Sequence, residues 1–322
     1  MNFIGINFAL LATLSWAICI FPFTQAARRL GSVSLNHFRL LLAVVILGTA
    51  SLFIQTESFF QLFDSRFAGA WLWLGLSGII GLTIGDHYGF AMYAILGPRV
   101  GSVLTTFAPA STLLISYFVI DEQLSWIGML GMFVTIIGVI WISLSRGERQ
   151  LIPDHGHGSI RKGIIFGLLA AICQGAGLVL AKRGMLADHS LHADVNPVHA
   201  TFIRLLIGTI SLYLFSFLRG TLRSALIPVF HNKENGLRFA VAGTFLGPVL
   251  GVTLSLFAVT FIKASVAQTI FSLVPVFALI LAYILLKERI SFRSFIGVIV
   301  AISGVIILIW REHLKNIIDQ IL

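Results

Sequence analysis

The chain predicts an all-α integral membrane protein whose ten transmembrane helices form two inverted five-helix repeats. Three observations lead there. Of 322 residues, 57% are hydrophobic and only 11% charged, against about 45–50% apolar and about 25% charged in an ordinary soluble domain. Ten stretches are apolar and long enough to cross a bilayer, which takes about 20 helical residues each. The second half of the chain also repeats the first. Such a composition argues against a soluble enzyme, a disordered chain or a nucleic-acid binder. The formal net charge of +9 does not alter that, because Lys and Arg sit almost entirely between the apolar stretches, as the positive-inside rule describes.

In chain order, spans are expected at residues 3–26, 34–54, 68–96, 99–120 and 125–144, then 162–182, 198–218, 237–262, 264–286 and 291–310. The first has no Lys or Arg before it and no small-residue cleavage site, so it reads as a retained span rather than a signal peptide. Cys19 and Cys173 both fall inside apolar stretches. They read as buried thiols used as small apolar residues, not as a disulfide framework. The third span carries Ser77, Gly81, Gly85 and Gly89, and the eighth carries Gly243, Gly247, Gly251 and Ser255. Small residues every fourth position let helix backbones approach closely in lipid. Pro109 and Pro275 lie near the middle of the fourth and ninth spans. Each removes a backbone hydrogen bond, so these are expected helix breaks whose freed carbonyls need a partner from the bundle.

The longest polar break, residues 145–161, reads as a linker between a first repeat at 1–144 and a second at 162–310. Beyond it, the tail 311–322 places Leu314, Ile317, Ile318 and Ile321 at helical spacing. That pattern predicts a short amphipathic helix lying in the membrane interface.

The repeat is explicit. Residues 100–142 align on 266–308 without a gap, at an offset of 166: Pro109 meets Pro275, Glu122 meets Glu288, Gly131 meets Gly297 and Gly138 meets Gly304. Gly5 and Phe8 match Gly163 and Phe166, and Arg39-Leu40-Leu41 matches Arg204-Leu205-Leu206. Five spans is an odd number, so the second repeat must enter the membrane from the opposite side. An inverted repeat puts a substrate site near the midplane, between the halves, where helices are broken.

These residues resemble the EamA family of the drug/metabolite transporter superfamily. The likeness rests on an early Arg in the second span of each half (Arg39, Arg204), the mid-helix prolines, the Glu-x-x-Ser steps (Glu122 to Ser125, Glu288 to Ser291) and a Gly-spaced fifth span. The resemblance implies a ten-helix exporter of small metabolites, amino acids or toxic compounds, driven by protons or exchange. It also implies cytoplasmic termini. The charge count reads the other way: more Lys and Arg flank the odd-numbered loops, among them Arg28, Arg29, Arg149, Arg161 and Lys162, which places the termini outside.

Asp86 is the one carboxylate in the middle of a span, in GLTIGDHYGFAMY. Intramembrane ionisable groups are costly and face a cavity or a partner. A carboxylate held near neutrality suits proton coupling or substrate binding; the plain alternative is a structural Asp paired with Arg39 or capping a broken helix. Its repeat counterpart is Val252, so this group would make the halves unequal. The adjacent His87 is a candidate proton relay. Arg39 and Arg204 could grip a substrate carboxylate bidentately, or instead snorkel to the interface. Trp16, Tyr88, Tyr93 and Gln174 are candidate cavity-lining residues, with Trp16 and Gln174 at equivalent positions. Glu122 and Glu288 sit at span ends, where capping or loop ion pairs are expected. His155 and His157, and the group Asp188, His189, His192, Asp194 and His199, match no fixed ligand spacing, so no metal and no cofactor is expected.

An intramembrane enzyme would need paired carboxylates, HExxH or a Ser/Lys site at membrane depth, and no Walker A sequence is present. The expectation is therefore a secondary active transporter of the cell (inner) membrane that exports by alternating access. A metabolite uptake permease or a membrane-embedded sensor is the alternative. The expected partners are a small-molecule substrate, the lipid bilayer, protons and a second copy in a homodimer, with no nucleic acid.

Overall fold

In the computed structural model, ten helices among the described residues are long and apolar enough to cross a membrane: Phe3–Leu30, Ser32–Phe53, Ser65–Tyr93, Val100–Ile120, Trp126–Leu144, Ile160–Met185, Pro197–Leu218, Gly236–Phe261, Ala264–Ile284 and Phe292–Asn316. These are the first to tenth spans of a multi-pass membrane protein. The structure describes residues 2–54, 56–145, 159–186, 195–287 and 291–321, and among them no strand occurs. Most of the expected linker, with His155 and His157, lies outside the described residues. So do Asp188, His189, His192, Asp194 and Glu288.

The first five spans and the last five correspond, except that Asp86–Thr105 is one helix where the second half has two, Val252–Phe261 and Ala264–Phe271. At the offset of 166, helix Ala108–Ile120 corresponds to helix Val274–Leu286, and each ends on a left-handed residue, Asp121 and Lys287. The third and eighth spans each contain a π-helical stretch at corresponding positions, Ile79–Gly85 and Phe245–Gly251.

Corresponding spans also touch each other reciprocally. In the fifth and tenth spans, Gly131 packs on the backbone of Gly304 and Leu308, while Gly138 packs on Ala301 and Gly297 on the Gly138 carbonyl. Rising numbers in one helix meet falling numbers in the other, so the two run antiparallel. Gly131 and Gly138 are the repeat counterparts of Gly297 and Gly304. The second and seventh spans do the same: Phe202 covers Gly48, and the counterpart pair Tyr213 and His37 meet edge-on at 5.1 Å.

Two expectations need correction. Pro109 and Pro275 are not where the helices break. The backbone leaves the helix just before them, at Thr106–Phe107 and Ser272–Leu273, and each proline occupies the first turn of the next helix. A first-turn N–H has no partner within the helix, so proline costs nothing there. The tail is not a separate helix either; residues 311–321 continue the tenth helix as one unit, Phe292–Ile321. No Gly or Pro follows Trp310 to stop it, and a helix without a stop signal continues.

Candidate functional site

The third span carries the centre of the site. Its glycines face the sixth and seventh spans: Gly78 lies on the Arg204 carbonyl, Gly81 on Gly177, Gly85 on Cys173 and Gly89 on Ala170. Ser77 donates to the Gly177 carbonyl, and Thr83 donates to the Gly208 carbonyl at 2.9 Å. The close approach depends on the absence of side chains on both helices. Asp86 follows directly after the π-helical stretch, a feature that recurs at functional sites in helical proteins.

Asp86 and Arg39 form an ion pair through Oδ2 and Nη2, their side chains 27% and 17% exposed. Asn36 Oδ1 accepts from Arg39 Nε at 2.8 Å, and the rings of Phe23 and Phe90 lie 5.6 and 5.7 Å from the guanidinium. Arg39 thus holds Asp86 through Nη2 and Asn36 through Nε. Arg204 is only 8% exposed. Its Nη2 end lies against Gly81 and Gly177, and its Nε has no hydrogen-bond partner among the described residues. It is near enough for its charge to act on Asp86. Gly81 precedes Asp86 by five residues, about 7 Å along a helix. The site therefore holds two guanidinium groups around one carboxylate.

Some of the residues singled out in the sequence converge here and some do not. Asp86, Arg39 and Arg204 come together. Gln174 is exposed, although it shares a helix face with the buried Gly163, Gly167, Ala170 and Leu178. Its amide therefore borders space inside the bundle. Trp16 packs edge-on against Phe271 at 5.1 Å and touches Gly251, the counterpart of Gly85. His87 points elsewhere: its ring is exposed and lies against Phe215 and Tyr88. Consecutive helix residues project about 100° apart, so a relay from Asp86 to His87 has no geometric support. Tyr88 lies tilted against Phe166 at 5.1 Å, and Tyr93 lies on Gly101. Neither of these tyrosines reaches the charged group. Among the described residues no three His, Cys, Asp or Glu side chains come together as a metal site.

A second polar centre was not expected in full. Glu122 Oε1 pairs with Lys182 Nζ at 2.6 Å, both nearly buried. Glu122 Oε2 accepts the Ala264 N–H at 2.7 Å, capping helix Ala264–Phe271, and Lys182 also donates to the Ile262 carbonyl at 2.7 Å. Lys263 reaches the Gln123 carbonyl. These contacts join three span ends at one end of the bundle. Capping is legible for Glu122 in the sequence, whereas nothing local in the sequence around Lys182 names its partner.

Comparison with known proteins agrees with this architecture. The profile of the EamA-like transporter family matches residues 3–144 and again 161–310. An uncharacterized transporter from Clostridium kluyveri is 29% identical over 153 residues, covering 46% of this chain and 45% of the relative. The uncharacterized transporter YetK from Bacillus subtilis is 24% identical over 211 residues, covering 65% of this chain and 59% of the relative. The matched stretches thus span about half the length of these curated relatives. A solved crystal structure superposes with a TM-score of 0.68 at 14% identity, covering 94% of this chain and 96% of the other; the likeness is one of fold.

Proposed function

Because the chain belongs to the EamA-like transporter family, we propose that it is a secondary active exporter of a small metabolite, amino acid or toxic compound, working by alternating access in the cell membrane. The observation that carries this reading is the Arg39–Asp86–Arg204 group between spans of both halves, with Asp86 and Arg39 half-buried and Arg204 buried. Such a group is expensive in a bilayer and serves no catalytic constellation.

The two halves are read as an inverted repeat, 1–144 and 162–310. The antiparallel, reciprocal contacts of the fifth with the tenth span and the second with the seventh support a two-fold axis lying in the membrane plane. In such transporters the cargo sits near that axis while the halves exchange conformations around it. The interrupted helices at Thr106–Phe107 and Ser272–Leu273 and the paired π-helical stretches are the natural places to bend. The Glu122–Lys182 centre closes one end of the bundle in this conformation. Asp86 couples: a proton competes with Arg39 for its carboxylate, and loss of that ion pair frees the second span to move.

The test is resistance. The protein is overexpressed in a bacterial host and screened against amino acids, their analogues and toxic cations, beside an Asp86→Asn variant matched for expression. Resistance to one compound class, lost in Asp86→Asn, is the expected result. Resistance that survives the substitution removes Asp86 from the mechanism. No resistance to any compound overturns export and turns the reading to uptake.

A further inference from the structure

We propose that Arg204 is the recognition group for a carboxylate on a small organic monoanion, seated between Arg204 and the Asp86–Arg39 pair. The inference rests on the transport reading above and names the chemistry of the cargo.

The first reason is an unpaired cation. Arg204 is 8% exposed, its buried Nε has no hydrogen-bond partner, and among the described residues no carboxylate forms an ion pair with it. A guanidinium presents five donors and cannot shed its charge. Buried charges are paired with an opposite charge or hydrogen-bonded. The one carboxylate nearby, Asp86, is committed to Arg39, whose Nε is in turn held by Asn36. Two positive groups and one negative leave one positive charge over, which a monoanion balances. A zwitterion leaves that excess in place, and a cation adds to it.

The second reason is shape. Where the guanidinium end rests, both neighbouring helices present glycine, Gly81 and Gly177. Gln174, one turn before Gly177, is exposed on the inward face of the sixth span. An anion gripped by Arg204 thus has an amide donor on the same face. The Phe23 and Phe90 rings beside Arg39 supply apolar surface for the rest of the molecule. A single guanidinium fork matches the two oxygens of a carboxylate.

Binding to the folded protein raises its melting temperature. The purified protein in nanodiscs is therefore melted with acetate, benzoate or phenylacetate, and with the matched amides. At least one carboxylate should raise the melting temperature while its amide does not. Truncating a charged hydrogen bond costs roughly 1.5–3 kcal/mol, about a 10- to 150-fold loss. Arg204→Gln should weaken carboxylate binding to that extent, and Arg204→Lys, which keeps the charge without the fork, should weaken it less. Carboxylates no better than amides, or equal binding by a monodisperse Arg204→Gln protein, would overturn the proposal. Should Arg204→Gln not fold, Arg204→Lys decides: undiminished affinity refutes the guanidinium fork, and reduced affinity supports it. Counterflow in proteoliposomes separates the two readings. A carboxylate that binds without being exchanged defeats transport but not the site. Exchange of neutral or cationic solutes alone defeats the site but not transport.

Discussion

Glu122 offers the clearest energetic test, because its two contacts and a third made by its partner Lys182 are fixed and nearly dry. Its two oxygens hold Lys182 Nζ at 2.6 Å and the Ala264 N–H at 2.7 Å, while Lys182 adds the Ile262 carbonyl at 2.7 Å. Removing one partner of a buried ion pair costs about 3–5 kcal/mol, since the other charge stays behind uncompensated. Side-chain exposures of 10% and 12% leave Lys182 and Glu122 some contact with solvent, which places the cost near the low end. Glu122→Gln keeps an acceptor for Ala264 and should lose about 2–3 kcal/mol; Lys182→Met should lose a similar amount. In the double variant no charge is stranded, so its loss should fall short of the sum by about 1–3 kcal/mol. The assay is unfolding of purified protein in mixed micelles by added SDS, followed by tryptophan fluorescence. Losses that add to within about 0.5 kcal/mol would refute the argument that these two charges depend on each other.

Other predictions follow from the same packing. A methyl on Gly304 would strike the Thr135 backbone and the Gly131 carbonyl; Gly304→Ala should cost about 1–3 kcal/mol, read in the same unfolding assay, and a neutral result would contradict the close seam of the fifth and tenth spans. Arg204→Met, by removing a stranded cation, should raise the melting temperature of the ligand-free protein, whereas Asp86→Asn, which strands Arg39 as well, should lower it. His87→Asn should leave both stability and export-linked resistance unchanged, because His87 meets Phe215 and Tyr88 rather than Asp86; loss of resistance would restore it as a relay.

The spans were legible because hydropathy is local: twenty apolar residues announce a membrane helix whatever surrounds them. The repeat was legible because its offset of 166 is free of gaps. Asp86 stands out in the sequence as a lone mid-span carboxylate, and Arg39 is already a candidate partner for it. What could not be read was long-range. Glu122 finds Lys182 sixty residues on, a pairing set by how the span ends meet. The π-helical stretches carry no composition of their own; the glycines around them signalled packing, which they also provide. His87 is adjacent to Asp86 in sequence, but consecutive residues on a helix diverge in space.

Alternating access is tested most directly at Gln174, which faces the inside of the bundle. In a protein with Cys19→Ser and Cys173→Ser, Gln174→Cys is exposed to a charged, membrane-impermeant thiol reagent, in right-side-out and in inverted vesicles. The account predicts labelling from both faces, with a bound carboxylate slowing it in each. Labelling from a single face, or from neither, would contradict it.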